Sequence, residues 1–318
     1  MSEMDLRTRV MKRVIYDPMA ELEDAVAARP GAIHATAHSP ERFDIVMNAF
    51  QMEDTRPPMT IKTMPHMIAS QRGILRSLRT LDENPAHPET TISPQALSGL
   101  ETYAHSLDVA AVGYTRLPRR LIFRDKAVLF DSAMVLVMEM DKEKIDTAPA
   151  PQASEAVHET YHYLGDAANE IARYLRERGY AAHAGHPLNG LVLYPPLAQM
   201  AGLGWRGRHG MLITPQFGPR MRLAAVLTSI DNLPFFEGEN EHRWIEAFCD
   251  SCGLCVRRCP VDAILEEPVE RDNGLVMCTD ADTCFPYFVE HHGCSICIKV
   301  CPFNQVGYEG LKERSRAG

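Results

Sequence analysis

All nine cysteines of this 318-residue chain lie between Cys249 and Cys301, and none precedes them. The first group, Cys249-Asp-Ser-Cys252-Gly-Leu-Cys255-Val-Arg-Arg-Cys259-Pro260, has the spacing C-x2-C-x2-C-x3-C-P. The second, Cys294-Ser-Ile-Cys297-Ile-Lys-Val-Cys301-Pro302, repeats it without the first cysteine, which upstream Cys284 or Cys278 can supply. Three cysteines two residues apart wrap one cubane, while the fourth, turned away by its proline, ligates the other cluster. The spacing therefore predicts two [4Fe–4S] clusters. One uses Cys249, Cys252, Cys255 and Cys301; the other uses Cys259, Cys284, Cys294 and Cys297. Cys284 is favoured over Cys278, which is expected to be a buried free thiol of small apolar character. Zinc sites more often show two separated pairs of ligands. Disulfides would need an oxidising compartment.

The remaining features bound the function. The length permits one large domain or two, with a sizeable core. The 33 basic against 42 acidic side chains give a net charge of −9, which argues against nucleic acid as an obligate partner. No run of eighteen apolar residues occurs, so no membrane span is expected. The first residues carry neither a signal-peptide apolar region nor a twin-arginine pair, and a cytoplasmic location is expected.

Along the chain, helices are expected near 18–28 and 41–51 and over 61–81, followed by a proline-punctuated linker at 83–89. Ser93 should cap a helix over 94–107, and 127–140 reads as one buried strand. The strongest helix pattern begins at Ser154 as N-cap. Val157, Tyr161, Leu164, Ala168, Ile171 and Leu175 form one stripe that Gly179 ends. Short strands are expected at 191–193, 211–214 and 223–229, with a helix over 195–201 and a linker over 231–240. Strands alternating with helices imply an α/β (or α+β) core and then a small ferredoxin-like module. The expected divisions are 1–92, 93–240 and 241–318. The Gly-rich stretch 201–210 fits neither G-x-G-x-x-G nor a P-loop, and a tight turn explains it equally well. The thirteen histidines form no H-E-x-x-H pattern.

From about Gly113 to Asn304 the chain resembles the cobalamin-dependent iron–sulfur reductases, namely reductive dehalogenases and epoxyqueuosine reductase. The resemblance rests on Ala133-Met-Val-Leu-Val-Met-Glu-Met-Asp141, Gly202-Leu-Gly-Trp205 and the stretch Gly207 to Leu223. Cys284-Phe-Pro-Tyr287 and Gly293-Cys-Ser-Ile-Cys297 complete it, in the family's order. It leans towards the dehalogenases. It implies a nitroreductase-like core burying base-off cobalamin beside a two-cluster ferredoxin module. It also implies an external electron donor (a ferredoxin, flavodoxin or reductase) and a small organic substrate. No D-x-H-x-x-G motif offers a lower cobalt ligand, and no reductase extension follows Gly318.

The resemblance further implies Tyr161 as proton donor, with Tyr163 as fallback, and Arg222 and Asn189 beside it. Gly202, Gly204, Arg208 and Gly218 are the implied cobalamin-facing positions. An ordinary tyrosine, with pKa near ~10, is a weak acid unless a cation stabilises its phenolate, a role the resemblance gives to Arg222. The competing reading is that Tyr161 only packs on its apolar stripe. Epoxyqueuosine reductases carry an aspartate where this chain has Leu188-Asn-Gly-Leu191, which weighs against reduction of epoxyqueuosine in tRNA. A non-catalytic iron–sulfur electron carrier is the third alternative.

Overall fold

In the computed structural model, which describes residues 17–43 and 60–317, the apolar run 127–140 divides in two. Ala127 and Val128 pair with His34 and Ile33, whereas Ser132–Glu139 becomes the middle of the main sheet. In chain order the core contains helices α1 (Asp17–Ala27), α2 (Thr63–Arg79) and α3 (Pro94–His105), then strands β1 (Ala111–Arg116) and β2 (Ser132–Glu139). Helix α4 (Pro151–Arg176), strand β3 (Ala182–Gly185), helix α5 (Tyr194–Met200) and strand β4 (Met221–Thr228) complete it.

The sheet order is β1-β2-β4-β3, and every neighbouring pair is antiparallel. The α/β alternation of the sequence is thus half realised. Because β2 and β3 are each antiparallel to β4, they run parallel to one another with α4 connecting them. The last strand inserts between the two and makes the sheet antiparallel, an α+β arrangement akin to a split βαβ unit. Both faces are covered. Ala133, Val135 and Val137 of β2 enter one core with α1, α2 and α5, while Met134, Leu136 and Met138 enter the other with α3 and α4. Residues of period two that are apolar on both faces are what a doubly covered strand requires.

Local chemistry sets the helix ends. Ser93 caps α3 by accepting from the Ala96 N–H at 3.2 Å, as its position suggests. Helix α4 does not begin at Ser154: Ala150 is its N-cap, Pro151 occupies the first turn, and Ser154 is buried inside the helix. Proline pre-sets the helical φ and lacks the N–H that the first turn leaves unpaired, so it starts the helix earlier than a serine cap would. Gly179 has φ +86°, the expected left-handed stop. The segment 191–193 makes only an isolated bridge, Val192 to Ile122. Most of the helix expected over 41–51 lies outside the described residues.

The cysteine module comprises α6 (Trp244–Cys252), the antiparallel hairpin β5 (Ile264–Glu270) and β6 (Val276–Thr279), α7 (Ala281–Glu290) and α8 (Tyr308–Ala317). It is tied to the core through Arg220. The guanidinium donates to Asn304 Oδ1 at 3.0 Å and to the Met140 carbonyl at 3.1 Å, and pairs with Glu139. Asn304 in turn donates to Asp146 at 2.8 Å, and Lys299 reaches the Ala148 carbonyl at 2.8 Å.

Candidate iron–sulfur centre and active site

The module folds its cysteines into two neighbouring groups. Burial pushes the Cys249 thiol up to about 11, and the fields of Cys255 and Cys252 raise it further. Burial likewise raises Cys301, which feels Cys249 and Cys255. These four thiols line one cavity with Arg208, His209 and Phe303. In the second group, burial raises Cys284 within the fields of Cys294 and Cys259, and raises Cys297 to about 12 beside Cys294, Cys255 and Cys284. Cys249, Cys255, Cys284, Cys294, Cys297 and Cys301, so disfavoured as thiolates, would be held deprotonated by bound metal. Among the described residues, no three His, Cys, Asp or Glu side chains are grouped closely enough to hold a single metal ion. Cys278 is buried on β6, and only Arg206 and Arg208 offset its desolvation.

The backbone also suits sulfide clusters. Gly253, at φ +52°, lets the chain turn between Cys252 and Cys255. His292, Gly293, Cys294 and Ser295 all have positive φ, a run that costs free energy in three non-glycine residues and turns the chain between the end of α7 and Cys297. The Ala263 N–H donates to Cys259 Sγ at 3.3 Å, and N–H groups of Arg208, Phe303 and Ile296 reach Cys249, Cys301 and Cys294. Such bonds adjust a cluster's potential.

In the core, Arg222 at the start of β4 lies over the ring of Tyr161 from α4, its Cζ 4.7 Å from the ring centroid. Arg222 Nε is buried and, among the described residues, has no hydrogen-bond partner. His158, one helical turn before Tyr161, faces it edge-on with ring centroids 6.4 Å apart. Burial, then the charges of Arg222 and His66, hold His158 down at about 4, so it is neutral at neutral pH. This histidine was missed from sequence. The available signal was its i, i+3 relation to Tyr161 and i, i+4 relation to His162. Tyr163 is 53% exposed and stacks on His162 at 4.8 Å, turned away from Arg222.

Asn189 adopts φ +55° in the loop after β3. Its carbonyl accepts from Arg42 at 3.3 Å, while its buried side-chain amide nitrogen is unpartnered among the described residues. No described contact joins it to Tyr161 or Arg222. The implied cobalamin-facing glycines sit where the chain packs closely on itself. A Cβ on Gly202 would lie 2.5 Å from the Phe236 ring, on Gly204 2.1 Å from the Ile213 carbonyl oxygen, and on Gly218 2.6 Å from that of Phe303. Arg208 pairs with Asp250, donates to the Glu266 carbonyl at 2.7 Å and lines the first cysteine cavity. A larger open hollow of about 720 Å³ separates residues 37–41 and Leu193 from the β5–β6 hairpin, with Arg124, Glu270 and Arg271 at its wall.

A family model for a 4Fe-4S binding domain matches residues 242–265. A tetrachloroethene reductive dehalogenase of Desulfitobacterium hafniense is 34% identical over 192 residues, covering 55% of this chain and 33% of that protein. An epoxyqueuosine reductase of Gloeobacter violaceus is 28% identical over 212 residues, covering 59% and 60%. In fold, the chain is similar to the catabolic reductive dehalogenase NpRdhA solved with 3-bromo-4-hydroxybenzoic acid, with TM-score 0.67, 20% identity, and 91% and 45% of the two chains covered. A reductive dehalogenase structure described as suggesting a mechanism for B12-dependent dehalogenation aligns at TM-score 0.68 and 21% identity, again over 91% and 45%. The chain spans about half the length of these solved dehalogenases and a third of the Desulfitobacterium protein. In sequence the chain is similar to reductive dehalogenases and to epoxyqueuosine reductases, with the higher identity on the dehalogenase side, and in fold it is similar to the solved reductive dehalogenases.

Proposed function

We propose that this chain is an oxidoreductase that removes halogen reductively from a small organic substrate, drawing electrons from an external donor through two [4Fe–4S] clusters. Base-off cobalamin, when bound, supplies the low-valent metal centre for that reduction. The chain's own residues hold the clusters and provide the proton. Tyr161 is the donor, and the Arg222 guanidinium over its ring stabilises the phenolate left behind. Asn189, with its buried unpartnered amide, is the candidate to orient substrate or corrinoid. The observation that carries the reading is the Tyr161–Arg222 contact, because it pairs a phenol with the cation that proton donation requires. A cytoplasmic location and a separate electron donor complete the proposal.

The test is anaerobic reconstitution with iron, sulfide and cobalamin, followed by metal counts and halide release from 3-bromo-4-hydroxybenzoic acid under a reduced viologen. About eight irons and one cobalt per chain are expected, with halide released and Tyr161→Phe slower by about a hundredfold or more. Eight irons without cobalt would turn the reading to electron transfer. Cobalt bound without halide release, together with reduction of epoxyqueuosine in a tRNA stem loop, would move it to the other set of relatives.

A further inference from the structure

A row of polar side chains leads from solvent towards Tyr161 along α4 and α2. Asp166, whose side chain is 50% exposed, has Oδ2 3.1 Å from His162 Nε2. His162 Nδ1 lies 3.0 Å from Nδ1 of His66, which α2 contributes. His158 follows one turn back on α4, close enough to His66 to feel its charge, and it faces Tyr161. Two imidazole Nδ1 atoms at hydrogen-bond distance share a single proton, since neither two protons nor two bare lone pairs fit between them. Tyr163 stacks on His162 at 4.8 Å and meets His66 edge-on at 5.6 Å, so an aromatic ring covers the shared proton from solvent.

We propose that Asp166, His162, His66 and His158 form a proton relay that replenishes Tyr161. The proposal rests on Tyr161 being the proton donor and extends that reading to where its protons come from. After Tyr161 gives up its proton, its phenolate takes one from His158 through a bridging water, because the two rings, with centroids 6.4 Å apart, make no described hydrogen bond. His158 is refilled from His66 Nε2 through one bridging water, because the two rings make no described hydrogen bond. His66 accepts at Nδ1 the proton leaving His162 Nδ1, and His162 is reprotonated at Nε2 from the Asp166 side. One proton enters for each one consumed, and no electrons move along the row. Other charges face it from each packed element: Arg222 from β4, Glu155 on α4 paired with Lys62 ahead of α2 at 3.6 Å, and His186 after β3, within the field of His162. His158 stays neutral between transfers, so it passes protons on without storing them.

The test uses the reconstituted protein, with 3-bromo-4-hydroxybenzoic acid and reduced viologen for rate and histidine ¹⁵N spectra for titration. His66 and His162 should titrate as a coupled pair, and His66→Gln should abolish the coupling seen at His162. His162→Gln and His66→Gln, on different helices, should each slow turnover by about tenfold or more, enlarge the solvent deuterium isotope effect and shift the acidic limb of the pH profile, with unchanged iron content as the folding control. Independent titration of the two rings overturns the relay whatever the rates. Wild-type pH profile and isotope effect in both variants, with Tyr161→Phe inactive, overturn the relay but leave Tyr161 as donor. A fully active Tyr161→Phe overturns the donor reading itself, and the relay with it.

Discussion

Gly165 stands in the middle of α4, where glycine is ordinarily a weakness of about 1 kcal/mol relative to alanine. Here the sign reverses. A Cβ would lie 2.0 Å from His186 Nε2, and that ring is buried between Gly165 and Gly73 of α2, where it cannot retreat. Gly165→Ala should therefore destabilise by about 2 kcal/mol, the usual cost of overpacking. Gly99→Ala in α3 is the control. Its nearest neighbour is the Tyr174 hydroxyl at an ordinary 3.4 Å, so it should stabilise by about 0.5–1 kcal/mol. Denaturant midpoints of the two variants check the pair, and equal shifts of the same sign would refute the packing argument. At the same scale, Arg222→Lys should support Tyr161 poorly, because an ammonium lacks the planar guanidinium whose Cζ lies 4.7 Å from the ring centroid. Turnover of the lysine variant should fall between wild type and Arg222→Gln, while substrate KM stays within about twofold if the arginine acts on Tyr161 and not on substrate.

At the scale of elements, α7 carries Cys284 on its first turn, and Asp280 is its cap. The Asp280 carboxylate accepts from the N–H groups of Asp282 and Thr283 at 3.0 and 3.3 Å, and these bonds with the Thr283 hydroxyl hold its own pKa down. Removing the cap should loosen the turn that presents Cys284. Asp280→Ala, challenged with a chelator after reconstitution, should fall towards about four irons per chain, whereas Asp280→Asn should keep about eight. Equal retention would show that Cys284 needs no capped helix. Elements also mark what was legible beforehand. The cysteine groups could be read because cluster ligation fixes local spacing, and α4 because an amphipathic helix writes its period into the chain. The position of β4 between β2 and β3 could not be read, since pairing partners 40 to 96 residues apart leave no local pattern. For the same reason His158 and His66 went unnoticed: each is an ordinary helical histidine until α2 packs on α4. Gly202, Gly204 and Gly218 also stand where the chain approaches itself closely, a constraint on their size that no local pattern announces.

For the whole molecule, acid is the informative stress. His183 and His186 are almost fully buried, and burial, ahead of neighbouring arginine charge at His183 and of His162 at His186, lowers them to about 4 and about 3 from 6.5. Both must be neutral in the fold and are free to protonate once unfolded. Between pH 6.5 and 4 the unfolded chain therefore binds more protons, so stability is complete above pH 6.5 and drains away as pH falls through that window. Asp146 and Glu170 have carboxyls held below their usual values, and their contribution is lost only below about pH 4, so the histidines dominate the earlier decline. Each pH unit is worth about 1.4 kcal/mol per group at most. His183 offers a direct check: its Nδ1 has no described partner, and its neighbours Val128, Leu191 and Leu227 are apolar. His183→Leu removes a titrating group of similar size without breaking a described hydrogen bond at that atom. Anaerobic unfolding should show the variant close to wild type at pH 7.5 and more stable than it by about 1–2 kcal/mol at pH 5. Parallel declines of the two proteins between those pH values would place the acid sensitivity elsewhere than in this buried ring.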